Sequence, residues 1–406
     1  ADNAGTAGLG SGNPQADIAA ADNQHPHLAK KPWQGAAGTF CSHRAIIRAE
    51  IRNGIKHGVI DSMSYQVSIK PSDKAFAVET GQSILEAALA ENIVLPYGCK
   101  DGACGSCKAK VLDGQIDQGP HSMGALKPEE VAQGFALMCC AYPLSDVTVE
   151  ARVVEGVGDI PIRKMPCRVA SMDLPAPDVA VLRLQLPANE QLQYLAGQYV
   201  EIILRDGDRR EYSMASAPDE AGAIELHIRH MPGGKFTESI FGDAKPPVKE
   251  KAILRFEGPM GTFFLREDTE KPIVMVASGT GFAPIKAIVE HMIQKDIRRP
   301  IALYWGGRRP HDLYMNALCE QWAAEHEHIT YIPVVSDALP EDNWQGRTGF
   351  VHSAALADIP DMSGHEVYAC GAPIVVDSAR AEYTSAGKLP EDAFFADSFT
   401  TAADVT

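Results

Sequence analysis

The sequence predicts a multidomain chain with three folded parts: a small α+β module, an antiparallel β-barrel and an α/β domain on a parallel sheet. Three observations carry this. Residues 64–153 hold short apolar alternations around one capped helix. Residues 167–264 hold many such alternations separated by Gly and Pro turns, the pattern of a small barrel. After Pro272, strand-like and helix-like stretches follow one another, as in a parallel sheet with helices on both faces.

Length and charge bound the answer. A chain of 406 residues accommodates two to four domains at about 100–200 residues each. The net charge of -16 argues against nucleic acid and against an anionic membrane surface. No apolar run approaches the roughly 20 residues that span a bilayer, so no membrane span is expected. Nine cysteines without an apolar signal segment point to a reducing compartment, the cytoplasm, and to metal or redox use. Residues 1–62, rich in Ala, Gly, Asn and His, are expected to be a disordered extension or a non-native start, with Met63 as the natural beginning. Within them Arg44–Ile60 reads as helical, carrying Arg44, Arg48, Arg52 and Lys56, a docking element if native.

The α+β module is expected over residues 63–153. Tyr65, Val67 and Ile69 alternate as a strand, and Phe76, Val78 and Thr80 form its hairpin partner. Ser83 caps a helix through Ile84, Leu85, Ala88 and Leu89, with Glu86 completing a capping box. Lys108–Leu112 and Gln115–Asp117 read as strands, Lys127–Gly134 as a short helix, and Val147, Val149 and Ala151 close the sheet.

Between helix and strand lies a Gly-rich loop with Cys99, Cys104 and Cys107, spaced C-x4-C-x2-C. That is the spacing of a [2Fe-2S] site, in which four thiolates hold two irons. Gly98, Gly102 and Gly105 permit positive φ and close approach of backbone N–H groups to sulfur. A zinc site would show two separate short-spaced pairs, and a disulfide framework belongs to small secreted domains. Cys139 and Cys140 lie downstream as further thiols; on an extended backbone neighbours point to opposite faces, so both cannot easily serve.

Residues 155–161 read as a linker, and the barrel is expected over 162–267. It includes the alternations Val179–Leu186, Tyr199–Leu204, Ile224–Ile228 and Ala252–Phe256. Arg210 and Tyr212, two apart on a strand, face one way, while Ser213 needs the strand to bend to join them. His227 and Arg229 precede a turn with Gly233, Gly234, Lys235 and Thr237 that opens a helix, where N–H groups can receive a phosphate. The third part, 270–400, alternates Ile273–Ala277 with Ile285–Gln294 and Ile301–Trp305 with Asp312–Ala324. Ile329–Val335, Val367–Ala369 and Ile374–Ala386 continue it. Gly279, Thr280 and Gly281 form a turn between strand and helix that lets backbone approach a dinucleotide. Arg308 and Arg309 end the next strand, and Cys370, Gly371 and Pro373 end a later one. Phe395–Phe399 reads as a terminal edge strand, with Asp397 or Phe399 by the site as the rival reading.

This order of segments resembles the ferredoxin-NADP reductase superfamily with an N-terminal plant-type ferredoxin module. Such members include ring-hydroxylating dioxygenase reductase components and CDP-6-deoxy-glucoseen reductases. The resemblance implies a β-grasp-like α+β ferredoxin module, an antiparallel β-barrel flavin domain and an α/β parallel-sheet nicotinamide-binding domain. It implies Cys139, two residues before the Ala141-Tyr142-Pro143 turn, as the fourth ligand beside Cys99, Cys104 and Cys107. Arg210 would contact the flavin pyrophosphate, Tyr212 would pack on the ring and Ser213 would bond near N5. His227, Arg229, Gly233, Gly234, Lys235 and Thr237 resemble the second flavin segment and point to FAD. Gly279, Thr280 and Gly281, then Arg308, then Cys370, Gly371 and Pro373 resemble the nicotinamide segments, Cys370 near the reacting ring. NADH is expected as donor, with NADPH possible because Arg308 and Arg309 could take a 2′-phosphate. The implied function is electron transfer from NAD(P)H through FAD and the cluster to a partner enzyme, such as a Rieske-type oxygenase or a deoxysugar dehydratase. The alternative is a redox sensor or regulatory electron-carrier subunit without turnover.

Overall fold

The computed structural model describes residues 63–218, 222–242 and 244–400. The expected extension and its helix at Arg44–Ile60 lie outside them.

The first part forms a mixed sheet around one helix. β1 (Ser64–Lys70) and β2 (Ala75–Glu79) pair antiparallel, Val67 and Ile69 pointing into the core. α1 (Ile84–Ala90) starts where Ser83 Oγ accepts from the Glu86 N–H and the Glu86 carboxylate accepts from the Ser83 N–H, two orphan donors satisfied at once. β3 (Lys108–Asp113), β4 (Ile116–Gln118), α2 (Pro128–Ala132), β5 (Phe135–Leu137), β6 (Ala141–Pro143) and β7 (Val147–Glu150) complete it. The main sheet runs β2-β1-β7-β3-β5, and β1 pairs parallel to β7.

The barrel follows: β8 (Arg163–Ala176), β9 (Val179–Gln185), β10 (Tyr199–Ile203), β11 (Arg209–Ser213), β12 (Ala223–Arg229), α3 (Glu238–Phe241) and β13 (Ile253–Met260). Every pairing is antiparallel in the order β11-β10-β13-β8-β9-β12, and a bridge from Met214 to Leu226 brings the two end strands together. Closing a sheet in this way removes its free edges.

The third part is a parallel sheet of β14 (Ile273–Ser278), β15 (Ile301–Gly307), β16 (Ile329–Val335), β17 (Arg347–Thr348), β18 (Glu366–Gly371) and β19 (Phe394–Ser398). Its order is β17-β16-β15-β14-β18-β19. The helices are α4 (Phe282–Gln294), α5 (Asn316–Glu325), α6 (Val351–Asp358) and α7 (Pro373–Ser385). α5 starts later than the sequence pattern suggests. The Asp312 carboxylate folds back to accept the N–H groups of Arg308 and Arg309 at 2.7 and 3.0 Å, spending residues 310–312 on a tight turn. α6 shows no clear apolar period because alanines supply much of its buried side.

The barrel is packed on both neighbours. Tyr199, Met260 and Phe264 join the core of the α+β sheet, while Ala196, Phe263 and Leu265 join that of the parallel sheet. Of these, Met260, Phe263, Phe264 and Leu265 each contribute roughly 1.5–3 kcal/mol on leaving water. The barrel therefore faces the cysteine loop on one side and the ends of the parallel strands on the other, where the candidate site lies.

Candidate functional site

The cysteine loop joins α1 to β3 and presents its sulfurs in pairs. Cys99 Sγ and Cys104 Sγ are 3.0 Å apart, and Cys107 Sγ and Cys139 Sγ are 3.2 Å apart. Among the described residues no group of three or more His, Cys, Asp or Glu side chains forms a site for a single ion. Two pairs of thiols suit two irons with two protein ligands each, and a one-ion zinc cage less well. The Cys99 N–H donates to Cys104 Sγ and the Cys104 N–H to Cys99 Sγ, at 3.3 and 3.2 Å. The hydrogen bond from the Cys99 thiol holds the Cys104 pKa below that of a free thiol, toward the thiolate that binds metal.

Two of the three expected glycines are required by the backbone. Gly102 has φ +83, and a Cβ there would lie 2.9 Å from Cys140 Sγ; Gly105 has φ +77 against the Ala125 carbonyl. Gly98 has ordinary φ and matters for space, since a Cβ would stand 3.3 Å from Cys104 Sγ. Opposite faces of an extended backbone are not what separates Cys139 from Cys140. The two occupy a turn between β5 and β6, closed by the Cys140 N–H on the Leu137 carbonyl, and their sulfurs are 3.6 Å apart. What distinguishes them is the neighbour: Cys139 meets Cys107, whereas Cys140 packs against Gly102.

At the barrel end, β11 carries Arg210, Tyr212 and Ser213. Ser213 is buried, and its hydroxyl donates to Asp397 Oδ2 at 3.0 Å; Cys370 Sγ stands 4.0 Å from that same oxygen. Burial pushes the Asp397 carboxyl up to about 7, opposed by the Ser213 hydrogen bond. Its other oxygen lies 3.6 Å from where a Cβ on Gly98 would be. One carboxylate thus stands between the barrel, the parallel sheet and the cysteine loop. Phe394–Ser398 is an edge strand, as expected, and Asp397 also enters the site. The strand period favours a plain edge strand, because a lone acid on an apolar strand looks like a solvent-facing residue; the hydrogen bond from Ser213 supports the rival reading for Asp397.

Tyr212 is half-buried with its ring 5.5 Å from Phe236. Arg210 bonds the Arg209 carbonyl and pairs with Asp208 at 3.5 Å. The Gly233–Thr237 turn is braced internally: Thr237 Oγ1 donates to the Met231 carbonyl at 2.8 Å and accepts the Met231 N–H. The helix it opens, α3, has four residues, and the Gly233 N–H donates to Glu238. Lys235 is exposed and pairs with Asp206 and Asp208. His227 is buried between Glu225 at 2.9 Å and Tyr314 at 2.8 Å, and burial holds its pKa down. Arg229 bridges Asp178 of the barrel at 2.9 Å and Asp312 of the parallel sheet at 3.5 Å.

The nucleotide segments interlock through glycine. A Cβ on Gly281 would lie 2.3 Å from the Cys370 carbonyl oxygen, and one on Gly371, at φ +129, 2.2 Å from Ser278 Oγ. Gly279, at φ +53, faces the Arg229 guanidinium, and its carbonyl accepts the Trp305 indole N–H at 3.0 Å. Thr280 is buried in the turn, and Pro373 opens α7 one residue after Cys370 and Gly371, with Ala372 as the N-cap. Arg308 is 79% exposed, 3.6 Å from Asp337; Arg309 is 3.3 Å from the same carboxylate.

Comparison with known proteins agrees with this division. Residues 67–144 match the 2Fe-2S iron-sulfur cluster binding domain, 166–265 the oxidoreductase FAD-binding domain and 275–381 the oxidoreductase NAD-binding domain. The chain is 42% identical over 337 residues to the CDP-6-deoxy-L-threo-D-glycero-4-hexulose-3-dehydrase reductase of Yersinia pseudotuberculosis, covering 83% of this chain and 99% of that one. It is 36% identical to reductase component 2 of terephthalate 1,2-dioxygenase from Comamonas, over 84% of this chain and 98% of that one. Among solved structures, the Amycolatopsis cytochrome P450 reductase aligns with a TM-score of 0.65 and 32% identity, over 83% of this chain and 99% of that one.

Proposed function

The chain belongs to the ferredoxin-NADP reductase superfamily, among members with an N-terminal [2Fe-2S] ferredoxin module, and we propose that the partner it reduces is a 4-hexulose-3-dehydrase acting on a nucleotide-linked deoxysugar. It is an NAD(P)H-dependent oxidoreductase that passes electrons through FAD and the cluster to a separate enzyme. The dehydrase is favoured over an oxygenase by the higher identity to the Yersinia reductase than to the Comamonas one. A cytoplasmic setting fits the eight described cysteines, all free thiols. No helix among the described residues is long and apolar enough to cross a membrane.

The observation that carries the chemistry is the meeting of Ser213, Asp397 and Cys370 beside the first thiol pair. Bound FAD supplies the conversion of a two-electron hydride into single electrons. The chain supplies orientation. Ser213 offers a buried hydroxyl at the barrel end, and Asp397 fixes its direction and holds or releases a proton near neutral pH. Gly279, Gly281 and Gly371 let the two nucleotide turns close against each other and against Arg229, where backbone would approach the dinucleotide. Cys370, near the end of β18, would stand beside the reacting ring. Cys99 with Cys104, and Cys107 with Cys139, would hold one iron each. NADH is the proposed donor, because Asp337 already pairs with both guanidiniums that a 2′-phosphate would need.

The test is anaerobic titration of the purified protein with NADH, followed by mixing with a candidate dehydrase or with an oxygenase component. Flavin and cluster should bleach in turn, and the dehydrase should reoxidise both only when its sugar substrate is present. Faster reoxidation by the oxygenase component would reassign the partner, and absence of iron and sulfide would remove the electron path itself.

A further inference from the structure

The loop bearing the first thiol pair is fastened to the barrel by groups that neither metal ligation nor hydride acceptance requires. Lys100, which directly follows Cys99, places its Nζ 2.6 Å from Glu201 Oε1 and 3.0 Å from Met260 Sδ. The Glu201 side chain is only 5% exposed, and its second oxygen is taken by Arg209, which also reaches Glu257. Around this pair the Tyr199 hydroxyl donates to the Gly98 carbonyl at 2.9 Å. The Thr262 N–H donates to the Tyr97 carbonyl, and the Tyr97 N–H donates to Thr262 Oγ1.

The barrel partners sit on few elements. Tyr199 and Glu201 belong to β10, and β10 pairs with β11 so that Tyr199 lies opposite Ser213 and Glu201 opposite Glu211. One rigid strand therefore holds the cysteine loop on one side and the Ser213 strand on the other. A buried carboxylate is costly to desolvate, so an ion pair of this kind contributes little to net stability. The apolar contacts of Tyr199, Met260 and Phe264 already attach the two parts. What the pair adds is register past Cys99: the hydrogen bonds from Tyr199 and Thr262 hold Gly98 and Tyr97, and the reach of Lys100 to Glu201 extends that hold to the far side of the first ligand.

We propose that the Lys100–Glu201 pair is an interdomain latch that sets the rate of electron passage from flavin to cluster. The two side chains are positioning residues for this internal step, with no part in accepting hydride or in meeting the partner enzyme. The inference rests on the reading of the site given above. NADH releases two electrons and one proton as it becomes NAD+; a [2Fe-2S] cluster takes one electron at a time, so bound FAD would release them singly, the second after the cluster has passed the first to the partner enzyme. Electron transfer depends steeply on placement, which makes a small shift of the loop measurable.

The experiment uses the loaded full chain in four forms: the parent, Lys100→Met, Lys100→Arg and Glu201→Gln. FAD, iron and sulfide are assayed first, so that loss of the cofactors, which bears on the function itself, is separated from loss of the latch. Rapid anaerobic mixing with NADH then follows flavin bleaching and cluster bleaching as separate phases. Lys100→Met should slow the cluster phase by about ten-fold or more, leaving the flavin phase in place. Lys100→Arg, which keeps the charge, should recover most of the rate. Amide hydrogen exchange across 97–105 should rise in Lys100→Met and return toward the parent in Lys100→Arg. If Lys100→Met loses its iron, Glu201→Gln, which retains shape and an acceptor, is judged by the same phases. An unchanged cluster phase in a variant that keeps its iron overturns the proposal, as does an arginine variant as slow as the methionine one.

Discussion

Asp397 is the residue on which the site turns. Its carboxyl is pushed up to about 7 from an ordinary 3.8 by burial, with the Ser213 hydrogen bond opposing. Between those values the folded chain holds a proton that the unfolded chain has released. The stability this group contributes is complete below the unfolded value and is lost as pH rises toward the folded one. Asp397→Asn removes that loss. The melting temperature of the variant relative to the parent should therefore rise from about pH 5 to about pH 8, read by calorimetry at matched ionic strength; a constant difference would mean the carboxyl is ionised throughout. Asp337 decides a separate matter, the donor. With Asp337→Ser, Arg308 and Arg309 lose their shared counterion, and the ratio of kcat/KM for NADPH over NADH should increase by about ten-fold or more. No change in that ratio would place the ribose elsewhere.

Two turns carry predictions at the level of elements. The turn at Gly279–Gly281 and the end of β18 approach so closely that a single methyl at Gly281 meets the Cys370 carbonyl oxygen at 2.3 Å. Backbone stands on both sides and cannot give way cheaply. Gly281→Ala should cost about 2–3 kcal/mol in a denaturant titration and raise KM for NADH; an unperturbed variant would show that the two turns part easily. The other turn, between β5 and β6, holds two adjacent thiols of which one faces Cys107. Cys139→Ser should lower bound iron and sulfide sharply, whereas Cys140→Ser should keep both, as measured by metal and sulfide assay. The reverse pattern would exchange the ligand.

Among the described residues the three main sheets form a relay, with the barrel sharing a core with each neighbour. Hydride enters at the parallel sheet and electrons leave by the cysteine loop, so the two ends can be separated by mutation. Cys104→Ser should abolish reduction of the partner enzyme while NADH-driven reduction of the flavin, followed by its bleaching, continues. Loss of both would make the cluster a structural support of the barrel. The acidic balance of the chain, -16 overall, makes a basic face on the partner the expected complement.

The sequence by itself determined the three-part order, the C-x4-C-x2-C loop and the nucleotide turns, because periodicity, glycine and cysteine spacing act over a few residues. The helix at Ile84–Ala90 was legible from its cap, and the parallel sheet from its rhythm. Only the tertiary structure decided what stands beside what. Ser213 and Asp397 are 184 residues apart in the chain and joined by one hydrogen bond. Lys100 and Glu201 meet because β10 is shared between two cores, and Cys139 is separated from Cys140 by a neighbour that lies 32 residues back. Contacts of this kind depend on which strand ends converge, and no local pattern records that convergence.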